Sequence, residues 1–335
     1  MKIALVYYSS FSSFIKRDYD IISKVHEVCP VNYVRLPDIG KLIAAIAWCD
    51  LSIVWFAGGH AFLTVLFCKL FGKLSIIIVG GFDVARVPSI NYGRFTQGWM
   101  RRLTTKLALQ YADKVLVVDP SLKEDAIQNA KINGNNIGYL PTGYDSRRFR
   151  LPEAMSKGKE DLVITVGYIS SSVIKRKGFD TFVEAASFLP QAKFLLIGKS
   201  VDGSLQNLRQ FAPPNVEFTG FVSDEELLGY YRRAKVYCQL SAYEGLPNAL
   251  CEAMLCECIP VGTERNGIPT AIGDSGFFVP YGDPKATAEA IARALQAPQA
   301  LGRKARARIM KLFPEERRET GLLQAISEAA QGERR

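Results

Sequence analysis

The sequence predicts an α/β protein of two doubly wound parallel sheets, in two domains facing a cleft. Three observations carry that prediction. Short apolar runs alternate with helix-period segments along the chain, the pattern of strands joined by crossover helices. The 335 residues suit two domains at roughly 150 residues each. A polar stretch without periodicity, RLPEAMSKGKED over 150–161, holds Pro152 and Gly158 and parts six apolar runs from six more. The expected division is an N-terminal domain over 1–150, a linker over 151–161, a second domain over 162–313, and a helix over 314–335 placed to pack back on the first.

Taken in order, the first six strands are expected at 3–8, 31–36, 51–56, 75–79, 114–118 and 137–140. The second six are expected at 162–166, 193–197, 216–219, 236–240, 259–262 and 276–279. Most are rich in Val, Ile and Leu, as strands covered on both faces must be. One stretch competes with a membrane span, because LSIVWFAGGHAFLTVLFC over 51–68 is 18 residues without a formal charge. Gly58, Gly59 and His60 break it, so a buried strand followed by a helix ending near Gly72 fits better. Ligands of such sheets bind beyond the carboxyl ends of the strands.

Composition narrows the class of function. With 48% hydrophobic and 22% charged residues, disorder, collagen and coiled coil are excluded. The seven cysteines show no paired spacing, and the only two histidines, His26 and His60, are far from Cys256 and Cys258 in sequence. The thiols are read as reduced core residues, with no metal site. The start, MKIALVYYSS, runs from a strand into serines without a secretory pattern, so a cytoplasmic location is expected. Lys and Arg outnumber Asp and Glu by 42 to 33, a net charge of +9, of which residues 1–150 hold +8.

The most informative stretch is SAYEGLPNALCEAMLCECIPVGTERNGIP, residues 241–269. It leaves a strand, turns at Glu244-Gly245 and enters a helix with Pro247 near its start, where a missing N–H costs nothing. A helix N-terminus after a strand presents free amides to a diphosphate. Glu244 and Glu252 would stand about 12 Å apart along a continuous helix, at 1.5 Å per residue. That exceeds the roughly 5–9.5 Å between the paired carboxylates of glycoside hydrolysis. The layout favours an extended ligand with hydroxyls at both ends and phosphates between, as in a nucleotide sugar.

The run from Glu244 to Glu252 resembles the two-glutamate signature of the family 4 retaining glycosyltransferases, which have the GT-B fold of two Rossmann-like domains. GFVSDEELLGYYRRAKVY (220–237), DSGFFVPYGDP (274–284), GYISSSVIKRKGFDTFVEAAS (167–187) and LPTGYDSRRF (140–149) resemble family segments too. The resemblance implies that Glu244 bonds the transferred sugar and Glu252 the nucleotide ribose. Backbone amides of Gly245, Leu246, Pro247, Asn248, Ala249 and Leu250 fall in the stretch that would receive sugar and phosphate oxygens, save that Pro247 has no amide hydrogen. Lys177 would neutralise the diphosphate beside Gly167, and Phe221 and Val222 would lie by the base. Where relatives commonly have Gly-Arg, this chain has Gly167-Tyr168, so Arg176 or Lys175 is expected to supply the second cation. Gly80 stands where the family often has a histidine, which leaves His60 and Asp83 as catalytic candidates, against capping and turn roles.

The resemblance implies metal-independent transfer from a nucleotide sugar, UDP-sugar first and GDP-sugar next, to a hydroxyl acceptor, lipid-linked or a glycan precursor. Two alternatives stand beside it: a nucleotide-sugar epimerase of the same fold, and a non-catalytic membrane adaptor. Between Asp83 and Asp113 there is no acidic residue, whereas Arg86, Arg94, Arg101, Arg102 and Lys106 interleave with Tyr92, Phe95, Trp99 and Met100. Two readings remain open for this segment. It docks peripherally on an anionic membrane or meets the acceptor, or a helix over 95–110 packs its Trp, Leu and Met on the core. No nucleic-acid recognition motif accompanies the charge.

Overall fold

The computed structural model describes residues 1–152 and 158–332. The chain divides into two compact units, one of Met1–Gly143 with Glu315–Arg335 and one of Tyr144–Pro314. The division thus falls at Gly143 rather than at 150. Of the expected linker, residues 153–157 lie outside the described residues, and Glu160 and Asp161 already belong to a strand.

Unit 1 begins with β1 (Lys2–Tyr7), α1 (Ser13–Ser23), β2 (Glu27–Asn32), α2 (Ile39–Trp48), β3 (Leu51–Trp55) and α3 (Gly59–Leu70). It continues with β4 (Leu74–Val79), α4 (Trp99–Tyr111), β5 (Lys114–Val117), α5 (Pro120–Ala130) and β6 (Ile137–Tyr139). The strands are all parallel, in the order β2-β1-β3-β4-β5-β6. Every residue of β3 and β4 is buried, which is what LSIVW and LSIIIV require of strands covered on both faces. The uncharged stretch 51–68 is therefore a strand and most of a helix. Among the described residues no helix is long and apolar enough to cross a membrane.

Two expectations for this unit need correction. The second strand lies at Glu27–Asn32, not 31–36, and includes Pro30. It is one of the sheet's two edge strands, where the missing N–H of proline interrupts no inner ladder. The expected helix over 95–110 breaks at Gln97-Gly98: Arg94–Thr96 is a single 3-10 turn, and α4 starts only at Trp99.

Unit 2 opens with β7 (Glu160–Val166), α6 (Ser171–Lys177), α7 (Phe179–Ala186), β8 (Lys193–Ile197), α8 (Ser204–Phe211) and β9 (Val216–Gly220). It goes on through α9 (Asp224–Arg233), β10 (Ala234–Gln239), α10 (Asn248–Leu255), β11 (Ile259–Thr263) and α11 (Gly267–Ile272). Then come β12 (Phe277–Val279), α12 (Pro284–Gln296) and α13 (Gln299–Leu312). The parallel sheet runs β12-β11-β10-β7-β8-β9 over a core that includes Val163, Phe179, Phe182, Phe194, Val236 and Ile259. The winding reverses between β7 and β10, and in unit 1 between β1 and β3. Those switch points are where doubly wound sheets open for ligands.

The chain then returns to unit 1 as α14 (Glu315–Gly332). Its Arg318 is 1% exposed and forms two bonds with Asp18, Nε to Oδ1 at 2.9 Å and Nη2 to Oδ2 at 2.6 Å. Asp18 also accepts from the Trp55 indole at 3.0 Å, and Arg318 Nη1 donates to the Leu140 carbonyl at 3.0 Å. This return redistributes charge. Unit 1 has 20 basic and 15 acidic residues and unit 2 has 22 and 18, so the excess of +8 in residues 1–150 does not describe either folded unit.

A buried ion pair that loses one member leaves the other charge uncompensated, at a cost of about 3–5 kcal/mol. Arg318→Met should accordingly lower unfolding free energy by about that much, with Asp18→Asn at the low end of the range, in urea titrations. A loss below about 1 kcal/mol in both would show that the pair contributes little.

Candidate functional site

At the switch point of unit 2, β7 leads through Gly167 into α6, and β10 leads through Leu240 and Ser241 towards α10. Glu244 stands in this second loop with its side chain 15% exposed. Four donors converge on its Oε1: Lys177 Nζ at 2.9 Å, Ser241 Oγ at 2.9 Å, Arg176 Nη1 at 3.1 Å and Gln239 Nε2 at 3.3 Å. No donor among the described residues reaches Oε2. Burial by itself would raise the carboxyl's pKa, but Lys177 and then Arg176 outweigh it and hold the group below its ordinary range.

Glycines make this convergence possible. Gly178 ends α6 in the left-handed region at φ 66°, and a Cβ there would stand 2.4 Å from the Leu240 carbonyl oxygen. The tight contact turns the last residues of α6 towards the β10 loop, where Ala242 N–H donates to the Arg176 carbonyl at 2.7 Å. A Cβ on Gly167 would lie 2.8 Å from Lys177 Cδ, so only glycine lets the lysine stem cross the end of β7. Lys175 faces the other way, paired with Asp180 at 2.5 Å, which leaves Arg176 as the second cation at the site.

Gly245, Leu246 and Pro247 are buried and lead into α10, with Pro247 as its N-cap. Asn248 is held by the Tyr144 hydroxyl at 2.8 Å, Ala249 is half-buried and Leu250 fully buried. Glu252, one turn into the helix, accepts from Tyr231 Oη at 3.4 Å. Phe221 is 75% exposed just past β9, beside half-buried Val222. Gln239 and Ser241 were missed in the sequence. Their only sequence signal is a pair of polar residues alternating with Cys238 and Leu240 through the end of β10 and just past it, and both are buried, 3% and 0% exposed.

In unit 1 the loops after β3 and β4 meet at Asp83. It is 1% exposed, and its oxygens accept from Ala57 N–H at 2.9 Å and Gly81 N–H at 2.8 Å, so it staples the two loops. Burial pushes its pKa up in spite of those bonds. Of its two expected roles the turn role is the one present. A Cβ on Gly80 would strike the Phe56 ring at 2.4 Å, so any side chain at this place would have to displace that ring. His60 opens α3, 7% exposed, with Nε2 2.8 Å from the Trp55 carbonyl and its ring stacked on Tyr8 at 5.8 Å. A carbonyl only accepts, so Nε2 carries the proton and Nδ1 the lone pair. Burial, then Arg94, lowers the imidazole pKa and keeps it neutral.

Arg94 belongs with these loops rather than with a surface patch. Half-buried, it bonds Gln97 at 3.0 Å, lies 5.6 Å over Phe82, and has a buried Nε without a hydrogen-bond partner among the described residues. The core-packing reading of 95–110 holds for Leu109, which faces the core with Thr105 and Ala108, but not for Trp99, Met100 and Leu103, which are 66%, 62% and 43% exposed. Arg101 and Arg102 are exposed and Lys106 half-buried.

Residues 160–297, most of unit 2, match the family model described as Glycosyl transferases group 1, and this stretch holds Arg176, Lys177, Glu244 and Glu252. HepE of Anabaena, solved in complex with UDP and also with UDP-glucose, superposes with TM-scores of 0.82 and 0.81 at 16% identity, over 98% of this chain and 100% of that one. The two six-stranded sheets are thus those of the GT-B fold. Alpha-galactosylglucosyldiacylglycerol synthase of Streptococcus pneumoniae is 29% identical over 160 residues, 43% of this chain and 42% of the relative. The capsular polysaccharide biosynthesis glycosyltransferase CapM of Staphylococcus aureus is 27% identical over 208 residues, 56% of this chain and 54% of its own. The chain spans about half the length of these curated relatives.

The lowered carboxyl pKa of Glu244 sets a sign for pH dependence. Its stabilisation is fully present above the unfolded-state value near 4.5 and is lost as pH falls through the lower folded-state value. Glu244→Gln should cost about 1–3 kcal/mol at neutral pH and flatten the acid limb of a stability profile measured by urea unfolding. An acid limb parallel to that of wild type would refute the assignment.

Proposed function

We propose that the protein is a retaining, metal-independent glycosyltransferase that moves a sugar from a nucleotide diphosphate donor to a hydroxyl acceptor. A UDP-sugar is the favoured donor and a GDP-sugar the next. The observation that carries the reading is the pair of cations, Arg176 and Lys177, gathered on Glu244 ahead of the α10 N-terminus. Two cations and a helix start on one side of a carboxylate match a ligand with phosphates next to sugar hydroxyls. The family match over 160–297 supports the class, and the UDP complexes of HepE support the nucleotide. The diacylglycerol named in one relative supports a lipid-linked acceptor.

In this reading Glu244 neutralises the two cations until donor arrives. The diphosphate then takes Arg176 and Lys177, and the freed carboxylate accepts from sugar hydroxyls. As the bond from the anomeric carbon to the diphosphate oxygen breaks, negative charge grows on that oxygen, where the two cations and the α10 amides receive it. The acceptor hydroxyl attacks from the same face, and its proton passes to the departing phosphate oxygen, so no protein nucleophile takes part. Glu252 accepts from the ribose, and Phe221 with Val222 flanks the base. His60, neutral with its Nδ1 lone pair free, orients a sugar or acceptor hydroxyl.

Thermal shift with UDP-, GDP- and ADP-sugars identifies the donor, since a ligand at 100 times its Kd stabilises by about 2.7 kcal/mol. With that donor, Glu244→Ala should lower transfer at least about 100-fold without weakening UDP binding. Glu252→Ala should mainly weaken UDP binding, by about tenfold, the loss of one hydrogen bond to a charged group. A fully active Glu244→Ala enzyme would sink the proposal.

A further inference from the structure

Residues 51–112 contain seven basic side chains and one acidic one, and that one, Asp83, is buried. Charge is therefore unbalanced locally even though the two units carry similar totals. The imbalance is greatest at the start of α4, where Arg101 and Arg102 are exposed beside Trp99, Met100 and Leu103. These five residues lie beyond the sheet. The Thr105 hydroxyl donates to the Ala57 carbonyl at 2.7 Å, just past the carboxyl end of β3, and α4 runs from there towards the amino end of β5. Trp99, six residues earlier, stands about 9 Å further out at 1.5 Å per residue.

Nothing among the described residues accounts for this composition. Cations in the first turn of a helix oppose its dipole, and α9 shows the favourable arrangement with Asp224, Glu225 and Glu226 at the same place. Gly98 gives α4 no side-chain cap to offset it. A large aromatic and two aliphatic side chains held out in water next to two arginines are matched instead by an interface with an apolar interior and an anionic rim.

We infer that the first turns of α4 insert into the headgroup layer of an anionic phospholipid bilayer, with Trp99, Met100 and Leu103 in the acyl boundary and Arg101 and Arg102 on lipid phosphates. The surface borders the loops that hold His60 and Arg94, so a bilayer bound there presents its own hydroxyl-bearing lipids to that side of unit 1. This partner deepens the transferase reading and rests on it for its purpose, though the surface itself rests on the exposure and charge of α4.

Flotation of the full chain with vesicles of equimolar phosphatidylglycerol and phosphatidylcholine tests it, beside vesicles of phosphatidylcholine alone. Wild type should float with the first and not the second, and raised salt should release it. Arg101→Glu/Arg102→Glu should lower partition by at least on the order of 30-fold, and Trp99→Ser/Met100→Ser should abolish it. Arg303→Glu/Lys311→Glu on α13 makes the same change in net charge and should leave partition unaltered. Equal losses from the two charge-reversal pairs, or a wild type that ignores both vesicles, would overturn the inference. Stabilisation by any of the UDP-, GDP- and ADP-sugars, read on the same samples, separates it from the transferase reading. A chain that floats but is not stabilised keeps the surface and loses the transferase; a chain that is stabilised but never floats does the reverse.

Discussion

One carboxylate oxygen, Glu244 Oε1, ties together the segments that follow β7 and β10. Remove its charge and two half-buried cations face each other across the end of the sheet. Keep it, and α6, the 241–247 loop and the start of α10 are held in one arrangement before any ligand is present. The flanking residues follow from that requirement: Gly178 so that α6 can end against Leu240, Gly167 so that the Lys177 stem can cross β7, and Gln239 and Ser241 as neutral donors. The geometry around Glu244 is built largely from backbone permissions around a single charge.

Unit 1 meets a similar demand by other means. Its loops after β3 and β4 are joined by Asp83 through two backbone amides, with no cation among the described residues in direct bond to it. The carboxylate organises the polypeptide, and the polypeptide in turn holds His60 neutral with one nitrogen committed to Trp55. One unit is thus organised at its switch point by ion pairs and the other by backbone amides, and the proposed division of a diphosphate in the first and a hydroxyl compound in the second matches that difference of charge.

Much of this was legible in the chain. Eleven of the twelve strands largely coincide with the apolar runs expected of them, because strands such as β3 and β4 that are buried on both faces cannot be written any other way. Misplacement is confined to the edge strand β2, where Pro30 is harmless and burial no longer dictates the pattern. The Glu244 stretch was legible because a strand, a turn and a helix start follow one another within a few residues. Gln239 and Ser241 were not, since a polar residue in a strand says nothing of its partner until the fold brings one. The α4 surface shows the same limit from the other side: periodicity marked a helix, yet exposure depends on how far that helix overshoots the sheet, which Thr105 and Ala57 decide together. The buried pair of Asp18 and Arg318, 300 positions apart, has no local signature at all.

That last pair also gives the chain an order of assembly during synthesis. Unit 2 is continuous in sequence and has all its parts once Pro314 has left the ribosome. Unit 1 comes earlier in the chain than unit 2, but its Asp18 lacks the Arg318 partner until residue 318 emerges. Of the two units, unit 1 is thus the later to close, after about 170 intervening residues have been made at about 5–20 residues per second.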